Sequence, residues 1–349
     1  MSEDLTVSGV DGVPEVRPGD DLAAMVVRHV PDLRDGDIVV VTSKVVSKAE
    51  GRIVRTDRLT AIETETTRVV ARRGPTTIAR TAHGLTLAAA GVDASNVEPG
   101  TVVLLPEDPD ASARSMRSRV HELTGANVAV VVTDTAGRPW REGQTDIAVG
   151  CAGLVPLDDH EGRYDSQGNL LSVTAPAVAD EVASAADLVM GKVSDRPFAV
   201  VRGLQDQVLS AGTDGPGARA LIRPEQGDMF ALGAREAAVA VVLRDDPQDL
   251  AALAALASSA EPVDVGDLVA RAAGEVATRL DVRALEGDEE DAGGGAHREV
   301  EVAGAYDVAV SGALERVCAL AVVHGWQVVS DDRNLGRCRI VLRCGTANP

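Results

Sequence analysis

The sequence predicts a protein of mixed α and β structure, a first part of about 240 residues in which strands and helices alternate, followed by a mainly helical extension. Three observations carry that expectation. Short β-branched runs bounded by turn residues recur through the first part, apolar stripes of 3.6-residue period lie between them, and beyond Asp245-Asp246-Pro247 the composition turns alanine-rich.

The strands come first in the argument. Ile38-Val39-Val40-Val41, Val102-Val103-Leu104-Leu105, Val128 to Val132 and Ala199-Val200-Val201 are continuous apolar runs without alternation, the pattern of strands buried on both faces of a sheet. Asp110 ahead of Met116, Val120 and Leu123, with Gly125 behind, predicts a helix capped at both ends. Val178, Val182, Ala186 and Val189 form one helical stripe. In the extension, residues 245–285 read as alanine-rich helix with Leu268, Ala272, Val276 and Leu280 on one face, and the acidic, glycine-rich 286–297 as a linker. Residues 298–349 carry a last helix stripe, Val310, Leu314, Val317 and Ala321, and short strands near Val328 and Arg339 to Leu342.

Composition narrows the partners. The 349 residues hold 34 Lys+Arg against 54 Asp+Glu, a net charge of −20 whose field repels polyanions, so neither nucleic acid nor an anionic membrane is an expected partner. A phosphate-bearing ligand must be held by locally placed cations. Aromatic residues are only 2%, so the core is built from Val, Leu and Ala and base-stacking platforms lack material. Four cysteines without CxxC spacing, an acidic N-terminus and no run of 18 apolar residues together give a cytoplasmic expectation.

Four segments could carry chemistry. In residues 35–51 an apolar strand runs into Thr42, Ser43, Lys44, Ser47 and Lys48, hydroxyls and ammonium groups suited to phosphate oxygens; a lysine-protected edge strand is the bland alternative. In 88–96, Asp93 and Asn96 follow three alanines and a glycine, as metal and ligand contacts or as ordinary turn residues. In 128–146 a buried strand ends in Thr133-Asp134-Thr135, oxygen donors of the kind Mg²⁺ or Mn²⁺ takes, and Arg138, Trp140, Arg141 and Asp146 follow; the alternative is an N-cap Asp with surface arginines. In 199–224, Gly212, Gly215 and Gly217 precede a helix from Ala218, as a phosphate cradle or as a plain connection.

Taken in order, VVVTSKVVSKAEGR, AAAGVDASN, VVVTDTAGRPWREGQTDIAVGCAGL and VVRGL resemble the coenzyme F420-0:γ-glutamyl ligase family over residues 10 to about 232. That resemblance implies an α+β, two-part mixed α/β ligase fold for residues 1–244, in place of a doubly wound sheet. It also implies a GTP-dependent, GDP-forming enzyme that joins L-glutamate to F420-0 and extends a γ-linked tail through an acyl phosphate. The expected cofactors are two divalent cations, Mg²⁺ or Mn²⁺, with K⁺ beside them, and the expected assembly is a homodimer. By motif, Val13, Pro14, Glu15, Val16, Ser43, Lys48, Asn96, Gly203 and Leu204 correspond to GTP contacts. Asp93 and Asp134 correspond to ligands of one cation and Thr135 to a ligand of the second, with Gln205 or Asp206 as a further ligand from a loop that departs from the family pattern. Asp134, Lys48, Arg138 and Arg141 are the expected catalytic set. Two other readings stay open, the same chemistry on a different carboxylate acceptor and a non-catalytic GTP- or metal-binding regulator. The tail is too short for the flavin-binding nitroreductase-like domain of fused family members, and 298–349 is expected to be its reduced, flavin-less remnant.

Overall fold

The computed structural model describes residues 4–224 apart from 96 and 193, and beyond them 228, 230–233, 237, 266, 269–270, 280–285, 297–304, 308–324, 326–334 and 337–345. The chain divides into two compact units, 1–67 with 72–224, and 68–71 with 225–349. The division falls after Pro224, earlier than the 244 that composition suggests.

In chain order the first unit runs β1 (Thr6–Gly9), α1 (Leu22–His29), β2 (Ile38–Thr42), α2 (Ser43–Ala49), β3 (Ile53–Arg55), α3 (Arg58–Glu65), β4 (Thr66–Arg73), β5 (Thr76–Thr81) and β6 (Thr86–Ala88). It continues with β7 (Thr101–Val103), α4 (Pro109–Thr124), β8 (Ala129–Gly137), β9 (Gln144–Ala152), α5 (Val178–Met190) and β10 (Phe198–Arg202). Five strands form the central sheet in the order β1-β10-β2-β8-β9. Only β2 and β8 are parallel; the other neighbours are antiparallel, which makes the unit α+β. β3 and β7 form a separate antiparallel pair.

The valine runs explain the layers. Every residue of Ile38–Val41 is 0% exposed, because alternate side chains enter two cores. Val39 and Val41 pack with Val26 of α1 and Met116 and Val120 of α4. Ile38 and Val40 pack with Val182 and Ala186 of α5 on the opposite face. β2 is therefore central, and the edge-strand alternative for residues 35–51 is overturned.

Met116 and Val120 of the expected α4 stripe are buried, joined by Ala113, whereas Leu123 is exposed, and Gly125 ends the helix in the left-handed region at φ 76°. The cap at its start is not the expected one. Asp108, not Asp110, accepts from the Ala111 N–H at 3.0 Å. Asp110 is instead buried in the first turn, where one carboxylate oxygen accepts from Cys151 N–H (2.8 Å) and Ala218 N–H (2.7 Å). The phosphate-cradle reading of 199–224 fails on the same contact: the short 3₁₀ turn at Ala218–Leu221 already has its anion, the Asp110 carboxylate.

The described part of the second unit contains β11 (Leu280–Leu285), β12 (His297–Gly304), α6 (Val308–Val323), β13 (Gln327–Asn334) and β14 (Arg337–Gly345). Its strands make an antiparallel sheet in the order β11-β12-β14-β13. The stripe Val310, Leu314, Val317 and Ala321 is wholly buried with Val302, Ile340 and Leu342. As far as it is described, this unit is thus sheet and helix rather than mainly helical. Leu280 opens a strand and not a helical face, since it starts the run that pairs with β12, and His297 of the expected linker begins β12. Residues 286–296 and nearly all of 245–279 lie outside the described residues.

Candidate active site

Thr42 and Thr133 sit opposite one another at the carboxyl ends of the parallel pair, the place where open sheets bind ligands. β8 does not stop there. It runs on to Gly137 because β9 pairs with it throughout, so Asp134 and Thr135 are strand residues whose side chains take opposite faces. This removes the N-cap alternative for Asp134.

On one face, Ser43 Oγ donates to Asp134 Oδ1 at 3.0 Å. Burial, with the negative charges of Asp146 and Asp93 adding to it, pushes the Asp134 carboxyl up to about 6. On the other face, the Thr133 and Thr135 hydroxyls each donate to the Asp146 carboxylate at 2.9 Å. Lys44 Nζ lies 2.5 Å from Asp93 Oδ2 and donates to Ser95 Oγ at 2.7 Å. Burial alone would raise Asp93, but the Lys44 ammonium and the Ser95 N–H and hydroxyl outweigh it and hold the carboxyl below its ordinary range. Asp93 also makes an ordinary turn, accepting from Ser95 N–H at 2.7 Å, so the turn reading of that segment holds at this residue.

Lys48, four residues after Lys44 on the same face of α2, is buried with its Nζ 2.5 Å from Glu15 Oε1. These lysines open on a cavity of about 550 Å³. Val13, Pro14, Glu15 and Val16 line one wall of it, and Lys192 and Arg196, from the segment between α5 and β10, line another. The structure therefore brings together Val13–Val16 and Lys48 around one space, with Ser43, Asp93, Asp134 and Thr135 at the strand ends beside it.

Other expected residues are elsewhere. β10 is antiparallel to β2, with Val201 opposite Ile38, so Gly203, Leu204 and Gln205 leave the sheet at the end away from Thr42, roughly 20 Å along the strand. Gly203 and Gln205 line a separate cavity of about 200 Å³ with Asp37 and Arg202, and Asp206 belongs to the same turn. Within one chain Gln205 cannot join Asp134 as a ligand. Arg138 and Arg141 stand on the hairpin between β8 and β9, and neither lines the large cavity. Arg138 Nη2 donates to Glu142 O at 2.7 Å, Arg141 is exposed, and Trp140 between them is 91% exposed at φ 63°. Asn96 lies outside the described residues.

The donor set decides which cation fits. Among the described residues no three His, Cys, Asp or Glu side chains gather as a metal cage. Asp134, Asp93 and the Thr135 hydroxyl are hard oxygen donors, suited to an Mg²⁺ or Mn²⁺ that takes one or two carboxylates and completes its shell with water and phosphate oxygens.

A model of the F420-0:Gamma-glutamyl ligase family matches residues 12–203. The chain belongs to that family. The match spans the Val13–Val16 segment, both lysines of α2, Asp93 and the β8–β9 hairpin. Among curated proteins, the chain is 38% identical over 251 residues to the "Coenzyme F420:L-glutamate ligase" of Methanothermobacter thermautotrophicus, covering 65% of this chain and 98% of that ligase. It is 39% identical over 238 residues to the protein of the same name from Methanopyrus kandleri, with 62% and 93% covered. The Archaeoglobus fulgidus ligase is 41% identical over 221 residues, with 57% and 88% covered. About a third of this chain lies outside the first of these matches.

Sequence reasoning about this ligase-family chain missed its internal supports. Arg117, buried in α4, donates to Val128 O, Thr213 O, Asp214 Oδ1, Asn127 Oδ1, Leu209 O and Ser210 O, and so ties the long loop after β10 to the sheet. A basic residue at the core-facing position after Ala113 and Met116 was the available signal.

Proposed function

We propose that this chain is a GTP-dependent ligase that joins L-glutamate to coenzyme F420-0 and then adds further γ-linked glutamates, acting in F420 biosynthesis as a homodimer. The observation that carries the reading is one cavity in which Lys44, Lys48 and Val13–Val16 face each other beside Asp134 and Asp93, in a chain of this family. A protein of net charge −20 concentrates cations there, which is what a triphosphate requires.

The chemistry is an amide formed from a carboxylate in two steps. An acceptor carboxylate oxygen attacks the γ-phosphorus of GTP; the bond to the β-phosphate oxygen breaks and GDP leaves. The glutamate amine then attacks the acyl carbon, inorganic phosphate leaves, and the amine proton passes to solvent. Lys48 and Lys44 hold phosphate oxygens and exchange their partners Glu15 and Asp93 for them. Ser43 orients the Asp134 carboxylate, and Thr133 and Thr135 orient Asp146. Asp134, Asp93 and Thr135 would hold the divalent cations, whose role when bound is to neutralise the β- and γ-phosphate charge.

The specific observation that keeps a second reading in play is the Gly203-Leu204-Gln205 turn at the far end of the sheet: a chain that never gathers it into the site would bind nucleotide without turnover. The two readings part on GDP release. The ligase releases GDP over many turnovers only when F420-0, L-glutamate, GTP and Mg²⁺ or Mn²⁺ are all present, since without glutamate the acyl phosphate stalls after at most one GDP per site, and Asp134→Asn abolishes that turnover; a silent binder releases none.

A further inference from the structure

We propose that Lys192 is the residue that grips the transferable terminal phosphate of the nucleotide, an inference that rests on the GTP-dependent reading above. Four cations line the large cavity, and three of them are already neutralised. Lys44 Nζ lies 2.5 Å from Asp93 Oδ2, Lys48 Nζ 2.5 Å from Glu15 Oε1, and Arg196 Nε 2.6 Å from Asp11 Oδ1. Lys192 has no carboxylate within ion-pairing distance among the described residues; its Nζ reaches only the Thr135 hydroxyl, at 3.5 Å.

Position and charge together select the phosphate. Thr135 is the strand neighbour of Asp134, so the Lys192 ammonium stands where β8 presents its oxygen donors, across the cavity rim from the α2 lysines. A lysine with a committed carboxylate partner must surrender that pair to bind an anion, whereas Lys192 meets an incoming phosphate without that cost. Its position follows from the chain: α5 ends at Met190, Gly191 turns the backbone at φ 59°, and Lys192 comes next, exposed on the cavity wall. Asp195 lines the same cavity without pairing to Lys192, and the neighbouring Asp187 feels the Lys192 charge, its carboxyl being raised chiefly by burial and by Asp146 while Lys192 opposes the rise. The terminal phosphate is the group whose charge moves during transfer, and a mobile, strongly hydrated ammonium can follow it from nucleotide to acyl phosphate.

The test uses the full chain and calorimetric titration with Mg²⁺ and either a non-hydrolysable GTP analogue or GDP, on the natural protein, Lys192→Gln and Lys192→Arg. Loss of one charge-assisted contact predicts analogue binding about ten- to a hundredfold weaker in Lys192→Gln, GDP binding unchanged, and partial recovery in Lys192→Arg. Thermal melts verify that both variants fold. Unchanged analogue binding in Lys192→Gln, or equal loss for GDP, overturns the assignment. A raised KM for the acceptor with intact analogue binding also overturns it, because Lys192 would then hold the acceptor carboxylate. If the natural protein binds neither nucleotide, the GTP-dependent reading itself falls, an outcome distinct from a silent substitution.

Discussion

Ionised Asp134 is held against its surroundings, buried and faced by the charges of Asp146 and Asp93, and its folded value of about 6 stands above the ordinary 3.8. A raised carboxyl binds its proton more tightly in the folded state, so stability falls as pH rises from about 4 to 6 and the full cost, on the order of 3 kcal/mol, remains above pH 6. Without divalent cations at pH 7.5, Asp134→Asn is therefore expected to melt a few degrees higher than the natural protein, with the gain vanishing near pH 4. The same substitution is expected to remove activity, as the proposed cation-holding role requires. A melting series across that window checks the sign, and a gain that grows towards acid pH would contradict it. Proton and cation compete for Asp134, so metal-dependent activity is expected to drop in acid, at a pH below the metal-free value and lower still as the cation concentration is raised.

Arg117 makes the second residue-scale prediction. Arg117→Ala strands the Asp214 carboxylate, Asn127 and four carbonyls around a buried position, a loss expected to reach about 3 kcal/mol by denaturant titration. Gly153 leaves room for that guanidinium: a Cβ there would sit 2.2 Å from Arg117 Nε, and Gly153 has φ 71°. Gly153→Ala should damage the same loop anchor.

At the scale of elements, the strands were the most legible part of the sequence. The continuous apolar, valine-rich runs at 38–41 and 128–132 have no reason to exist except burial on both faces, and both became inner strands of one sheet. Caps were less legible. Asp108 and Asp110 flank Pro109, and the proline at the first helical position marks Asp108 as the cap, a signal the carboxylate pattern alone obscures. Asp108→Ala is expected to cost about 1 kcal/mol in a chemical melt. Asp110→Asn should instead loosen the Ala218 turn, because Asp110 fills that turn's N–H groups. Strand direction was not legible at all: nothing in Ala199-Val200-Val201 says that β10 runs antiparallel to β2, and that single fact carries Gly203, Leu204 and Gln205 to the far end of the sheet.

For the whole molecule, the candidate site was legible where hydroxyl, ammonium and carboxylate groups cluster at short sequence range, as in Ser43 with Lys48 and Asp134 with Thr135. It was unreadable where partners come from afar, as with Asp93 and Lys44, Glu15 and Lys48, or Lys192 and Thr135. In the second unit the short strands expected near Val328 and Arg339 to Leu342 are β13 and β14. β11 and β12 were hidden, because their charged residues dilute the strand signal, β11 lies where an alanine-rich helix was expected and β12 begins in the expected linker. Among the described residues no helix is long and apolar enough to cross a membrane.

The central claim is ligation of glutamate to F420-0 at the expense of GTP, and mass spectrometry of the deazaflavin product tests it most directly. F420-0 incubated with the purified chain, GTP, Mg²⁺ or Mn²⁺ and L-glutamate is expected to yield a ladder of glutamyl additions that disappears when any one component is omitted. An unchanged F420-0 mass in the complete mixture, from protein that binds GTP, would contradict the account.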